Sequence, residues 1–315
     1  MNAPALVRTP ALTAEWKKIP AGMRSLWRQC LPGGDGGDVA RSMTINFLGV
    51  ALAENADVLN EALQRLQRRS PCRAFLVLID DAAKPGAAEL AATTRGTGSV
   101  RDIVLEEILV RVPRSAFAAL PGLIRPLLMN DLPNHLFWAA PWPADAGHFD
   151  ALADLCDHVV IDSRRLADPT RDLAALAALH APGSVPHRVT DLAWLRLRPW
   201  RRALAEAFQR VPWVAGTKAQ ATIRHGQGGK ASALLLADWL RARLGASVQC
   251  DPNGNAVGSP DDVVVRTGGF EVELQLARQQ IRVHVTTPEH CYLPFTVPSS
   301  RGSDGDLLAA AIDMV

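Results

Sequence analysis

The sequence predicts an α/β fold: an N-terminal sheet domain of βαβ type, followed by a smaller α+β domain with an antiparallel meander. Three observations carry this expectation. Apolar runs at 43–50 and 73–80 flank a helical stripe of Leu59, Ala62, Leu63 and Leu66, a strand–helix–strand unit that is most economically parallel with a right-handed crossover. A second such unit spans 134–163. From about residue 212 the pattern changes to strict alternation and closely spaced strands, as in antiparallel sheets with one wet face.

The 315 residues suit about two domains. The reading is an arm and flexible loop at 1–40, an α/β domain at 41–190 and an α+β domain at 191–315. In the arm, Pro4, Pro10 and Pro20 interrupt partly helical sequence, and Gly33–Asp38 reads as a solvated loop. Met43–Val50 is the first strand, Asn55 is placed to cap the following helix, and Arg73–Asp80 is a strand with both faces covered.

Residues 81–98 read as a small-residue loop and Val100–Val112 as a long strand. Ser115–Met129 is helical but kinked or split by Pro121 and Pro126. Asn134–Ala140, a short helix near Phe149–Leu155 and His158–Ser163 complete the second unit. An Ala/Leu helix at Leu173–Leu179 and a Pro/Gly loop precede Asp191. Lys218–Arg224 alternates strictly, and Lys230–Leu244 is a helix stopped by Gly245. Val263–Arg266, Phe270–Leu276 and Ile281–Thr287 form the meander, its first turn marked by Thr267-Gly-Gly269. A short amphipathic piece follows at Asp306–Met314.

Composition limits the function. A formal charge of +2 argues against a general nucleic-acid binder. No apolar run approaches the ~20 residues of a membrane helix, and no signal pattern opens the chain. The five cysteines are widely spaced without a CxxC pair, which fits a reducing cytoplasm. Neither Cys156-Asp-His158 nor His290-Cys291 has a second pair at zinc spacing. Cys72 reads as a small buried residue at a strand start, with activation by Arg73 as the other reading. Gly226-Gln-Gly-Gly-Lys-Ala-Ser232 lies between strand and helix, but Arg224 and Ala231 stand where a phosphate loop needs Gly and Ser/Thr. No metal or cofactor is expected.

The densest signal is Asp191-Leu-Ala-Trp-Leu-Arg-Leu-Arg-Pro-Trp-Arg-Arg202, holding Trp194, Trp200, Arg196, Arg198, Arg201 and Arg202. Pro199 suits the first turn of a helix, whose Trp200, Leu204 and Phe208 pack inward. Residues 194–198 read as extended, with Trp194, Arg196 and Arg198 on one face. Such a face fits a protein hot spot or an anion. Asp162 and Ser163, at the carboxyl end of a parallel strand, are placed either to hold a ligand or to end the strand in a turn.

These segments together resemble the OpcA family, the glucose-6-phosphate dehydrogenase assembly proteins. The resemblance rests on Arg41-Ser-Met-Thr-Ile-Asn-Phe47, Pro71-Cys-Arg-Ala-Phe75, Asn130-Asp-Leu-Pro133 leading to Leu136-Phe-Trp138, Val159–Ser163 and Asp191–Arg201. It covers roughly 40–245 in order, more loosely the remainder. It implies a non-catalytic protein that binds glucose-6-phosphate dehydrogenase and favours its active oligomer, supporting NADPH production in the oxidative pentose phosphate pathway. Trp194, Arg196, Arg198, Arg201, Asp162 and Ser163 are the candidate partner- or anion-binding residues. A sugar-phosphate or nucleotide sensor or enzyme using the same residues is the other reading, and a sugar-phosphate effector is compatible with both.

Overall fold

The computed structural model describes residues 5–30, 39–97, 100–142, 146–179, 188–211, 213–214, 216–299 and 302–314. The glycine-rich stretch at 33–38 and residues 180–187 of the Pro/Gly loop lie outside the described residues. The chain divides into two compact units. One comprises Met1–Ile161, Leu179–Thr190 and Asp304–Val315; the other Asp162–Ala178 and Asp191–Ser303. Where the sequence reads as boundaries near 40 and 190, the chain changes unit at four places.

The first unit begins with β1 (Ala5–Arg8), β2 (Leu12–Glu15), α1 (Ile19–Gln29), β3 (Val39–Arg41), β4 (Ile45–Leu52), α2 (Ala56–Arg69) and β5 (Cys72–Ile79). It continues through β6 (Ala87–Thr97), β7 (Val100–Val112), α3 (Leu120–Ile124), β8 (Asn134–Trp138), α4 (Ala146–Ala153) and β9 (His158–Ile161). Short 3₁₀ turns flank α3 on both sides, the split that Pro121 and Pro126 foretell. Helix α5 (Pro169–Leu179) lies mostly in the second unit, and β10 (Arg188–Asp191) returns to the first sheet.

That sheet has the order β1-β6-β7-β5-β4-β8-β9-β10, with β2 also on β6 and β3 on β7. Strands β7, β5, β4, β8 and β9 are parallel, the arrangement of a doubly wound α/β sheet. The α/β expectation holds.

Three expectations fail locally. The described parts of the 1–40 arm are built into the unit, because β1 and β2 pair with β6 and β3 pairs with β7. Residues 87–97 form a long strand, not a loop, paired along β7. Alanine and threonine there hid the strand from composition, since alanine is a weak strand former. Their small size serves packing: Leu90, Ala91 and Ala92 are buried. Helix α1 comes so close that a Cβ on Gly22 would meet Leu90 Cδ1 at 2.5 Å. Asn55 also makes no side-chain cap bond, α2 being entered through a 3₁₀ turn instead.

Buried polar groups lock the strand ends. Asn46, fully buried on β4, donates from Nδ2 to Met129 O at 2.8 Å and to Asn134 Oδ1 at 2.8 Å, and accepts from Met129 N at 3.1 Å. One amide therefore satisfies the loop that leads into β8, where orphaned groups would carry a desolvation cost. On the adjacent strands, Glu106 of β7 is fully buried and takes Arg73 Nε at 2.7 Å and Nη2 at 2.6 Å. Arg41 Nε stands 3.5 Å from its other oxygen and stacks its guanidinium 3.6 Å from the Trp27 ring centre.

The rings of His135 and His158 meet across the β8–β9 register, with Nδ1 atoms 3.1 Å apart and His158 Nε2 2.9 Å from Thr190 Oγ1. Both are buried. Burial lowers the His135 pKa from its ordinary value, and the charge of Asp157 offsets this only in part.

The second unit holds α6 (Leu192–Arg196), α7 (Arg198–Phe208), β11 (Ala219–His225), α8 (Lys230–Leu244), β12 (Ser247–Asp251), β13 (Pro260–Thr267), β14 (Glu271–Ala277), β15 (Gln280–Thr286) and β16 (Phe295–Pro298). Its sheet order is β12-β11-β13-β14-β15-β16. Strands β11 to β16 form an antiparallel run apart from the parallel β11–β12 pair. Ala219, Ala221 and Ile223 of β11 bury against a core containing Trp200, Leu204, Leu236 and Leu240. Gly245 ends α8 at φ 61°, a left-handed geometry that glycine adopts without strain. The last helix, α9 (Asp304–Ile312), belongs to the first unit and packs on α2.

Replacing Arg73 with Met leaves the buried Glu106 carboxylate on Arg41 alone. Urea denaturation should show a loss of about 3–5 kcal/mol, the cost of unpairing a buried charge. For His135, the unfolded chain takes the proton first on acidification, because its pKa is the higher of the two. Stability from this site is full above the unfolded value near 6.5 and declines as pH falls through it. The fall in urea midpoint between about pH 7.5 and 5.5 should therefore shrink in His135→Leu.

Candidate functional site

The Trp/Arg segment folds as two short-linked helices, not as the expected extended strand. Asp191 caps α6 by accepting from Ala193 N at 2.9 Å, and the same oxygen accepts from Ser163 N at 3.0 Å. Pro199 stands in the first turn of α7, where its missing N–H costs nothing. The turn between the helices disperses the predicted face. Arg196 turns inward, Trp194 lies half-buried against the core of its unit, and Arg198 is exposed.

Asp162, Ser163, Asp191 and Arg196 come together. Asp162 is 4% exposed, accepts from Arg164 Nη2 at 2.8 Å and Nε at 3.1 Å, and accepts from Arg196 Nη1 at 3.2 Å. Burial alone would raise its pKa. The Arg164 hydrogen bonds and the charges of Arg196, Arg164 and Arg165 outweigh that and hold it below the usual carboxylate range. Asp191 shifts upward, because its burial and the neighbouring Asp162 charge prevail over the backbone donors of Ser163 and Ala193. Two carboxylates sit in one buried cluster, and the arginines favour charge on Asp162.

Arg201 stacks its guanidinium 3.7 Å from the Trp194 ring centre and donates from Nη2 to Trp194 O at 3.4 Å. Burial and the nearby Arg198 charge lower the Arg201 pKa. Trp200 is 1% exposed and anchors α7 in the core. The segment thus serves the fold at most of its positions, with Arg198 exposed and the Trp194–Arg201 stack half-buried. Sequence reasoning missed Arg164 and Arg165. Their signal was present: Asp162-Ser-Arg-Arg165 places cations just past a strand end, within reach of the aspartate.

The glycine turn before α8 is packed shut. Gly254 N donates to His225 O at 3.0 Å and Gly258 N to Gln227 O at 2.9 Å. A Cβ on Gly226 would meet Ala256 O at 2.5 Å. These glycines let two loops approach each other, and the second loop fills the place of a phosphate. In the first sheet, the turn from β4 to α2 carries Glu54 and Asp57 in its opening turns, charges that repel a pyrophosphate where dinucleotide-binding sheets place glycines. Among the described residues, no group of three or more His, Cys, Asp or Glu is arranged to hold a metal ion. Burial pushes Cys156 up to about 12 and raises Cys72 further, so both thiols stay protonated and unreactive at neutral pH.

Arg196→Met removes one of the two arginines on Asp162 and should cost about 1.5–3 kcal/mol in chemical denaturation. Arg198→Ala, at an exposed position, should stay within about 0.5 kcal/mol of the parent. Equal losses in the two variants would refute this division of roles.

The family profile described as the glucose-6-phosphate dehydrogenase subunit N-terminal domain matches residues 63–178, and that of the C-terminal domain matches 187–315. A protein of Synechocystis sp. named OxPP cycle protein OpcA is 33% identical over 144 residues, covering 45% of this chain and 30% of the relative. Its namesake in Nostoc punctiforme is 32% identical over 181 residues, covering 56% of this chain and 38% of the relative. The aligned stretches thus span less than half the length of these relatives. Among solved structures, the 3-ketoreductase KijD10 of Actinomadura kijaniata aligns at TM-score 0.48 and 12% identity, over 86% of this chain and 88% of that one. An oxidoreductase of Sinorhizobium meliloti aligns at TM-score 0.49 and 10% identity over 86% and 88%. At that distance neither alignment bears on activity. With both domain profiles matched in succession, this chain belongs to the OpcA family.

Proposed function

We infer that this chain is a non-catalytic protein partner of glucose-6-phosphate dehydrogenase. It favours the enzyme's active oligomeric form in the cytoplasm and thereby supports NADPH production in the oxidative pentose phosphate pathway. The observation that carries this reading is the pair of consecutive domain matches, both to families described as subunits of that enzyme. No helix among the described residues is long and apolar enough to cross a membrane.

Such a partner acts by binding one state of the enzyme more tightly than the others. Driving an equilibrium from 1:99 to 99:1 takes about 5.5 kcal/mol of differential binding. The surface offered for this is the outward part of the Trp/Arg segment: Arg198 beside the stacked Trp194 and Arg201. Tryptophan and arginine are the residue types that most often dominate interface energetics. Asp162, Ser163 and Arg196 act beneath them as positioning residues.

Titrating the purified chain into the enzyme of the same organism, read by size-exclusion chromatography and by NADPH formation, tests the reading. A complex with altered oligomeric state or KM is expected, and the absence of both changes would overturn the reading. Arg198→Glu should weaken the complex about ten-fold or more, the scale of a hot-spot loss, with an unchanged unfolding midpoint. Full affinity in that variant would place the contact elsewhere.

A further inference from the structure

The first unit contains a cleft of about 560 Å³ between α2 and the sheet surface of β1, β6 and β7, within the size range of small-molecule sites. Leu63 and Leu105 form its apolar floor. Two groups at the base are polar. The Thr93 hydroxyl belongs to a residue only 3% exposed and has no hydrogen-bond partner among the described residues. Glu107 is held by Arg8 Nη2 at 3.0 and 3.1 Å from its two oxygens, which leaves each oxygen a further lone pair.

The rim is set by the spacing of α2. Asn60, Gln64 and Gln67 fall on one helical face, and Arg68 follows at the same wall. Helix α2 carries Arg65, Arg68 and Arg69 in its last turns. Arg65 reaches Asp306 at 3.7 Å and Arg69 reaches Asp313 at 3.9 Å, both in or just after α9. Arg68 instead lines the cleft, and no carboxylate among the described residues lies within ion-pair distance of it.

This donor and acceptor set defines a ligand. Arg68 offers only donors and asks for an oxyanion. Glu107 only accepts, so its partner must donate, as a hydroxyl does. The threonine and the three amides do either. No aromatic ring lines the cleft, so nothing there would stack a nucleotide base. The geometry points to a binding site for a small hydroxylated oxyanion, a phosphorylated or carboxylated polyol, with Arg68 on the anionic group and Glu107 and Thr93 on the hydroxyls. The site is built wholly from residues of the first unit and does not depend on the partner-enzyme reading.

Thermal unfolding of the full chain alone, with glucitol 6-phosphate, gluconate, neutral glucitol and inorganic phosphate at equal ionic strength, tests it. Because a ligand of the folded state stabilises that state, glucitol 6-phosphate or gluconate should raise the Tm, and which of them does so names the oxyanion. Neutral glucitol and inorganic phosphate should each have a smaller effect. In Arg68→Ala, an exposed position, the shift should disappear while the ligand-free Tm is kept. Thr93→Val should weaken binding about ten-fold and Thr93→Ser restore it, a difference of one buried hydrogen-bonding group. If the valine variant fails to fold, Arg68→Ala decides alone. No shift with either hydroxylated anion, a shift equalled by inorganic phosphate, or a shift that survives Arg68→Ala would overturn the proposal.

Discussion

The second unit depends on a buried negative charge that cannot stand alone. Asp162 follows directly on a strand of the first sheet and is almost wholly removed from water. A carboxylate in that position is costly unless cations and donors meet it. Arg164 supplies them from two residues away, and Arg196 from the far side of a long excursion of chain. Once Arg196 is committed to Asp162, α6 has its orientation. Asp191 ties the start of α6 to the backbone of Ser163, and the turn at Leu197 then delivers Trp200 to the core. The exposed position of Arg198 and the half-buried stack of Trp194 and Arg201 follow from that placement.

How much of this the sequence reveals depends on the range of each interaction. The parallel strands, the helix α8 with its glycine stop and the antiparallel meander have short-range signatures, and they are legible. Strand β6 is not, because its alanines and threonines carry weak intrinsic preference and become a strand only by pairing with β7. The same holds for β1 to β3, whose ordering is supplied by partners roughly sixty to ninety residues away. At the candidate site, residue identities were readable but the conformation of 194–198 was not. Leu195 and Leu197 alternate with arginines as in a strand, whereas the Asp191 cap and Pro199 set helical turns on either side. Local capping prevailed over alternation. The cleft beside α2 had no sequence signature, since Arg8, Thr93 and Arg68 converge only through strands that composition concealed.

The segments that mark the family now have physical reasons. Asn46 holds the loop before β8, Arg41 and Arg73 enclose Glu106, and Asp162 and Asp191 organise the entry to the second unit. Each is a polar residue at the end of a regular element, satisfying groups that the hydrophobic core cannot. Residues of this kind are poor substitutes for one another, because geometry as well as charge must be met. A motif dense in charge and tryptophan can therefore record a folding requirement at most of its positions and a recognition surface at only a few.

Helix α9 adds a temporal constraint. Its Leu308, Ala309, Ala311 and Ile312 are buried, and Gly305 lies so close to α2 that a Cβ would meet Arg65 Cγ at 2.7 Å. The surface of α2 that receives it is synthesised more than two hundred residues earlier. During translation the first unit must wait with that apolar strip uncovered until the whole of the second unit has left the ribosome. The nascent chain is thus exposed to misassociation for the span of synthesis that separates α2 from α9, and an assisting chaperone would find its target on α2.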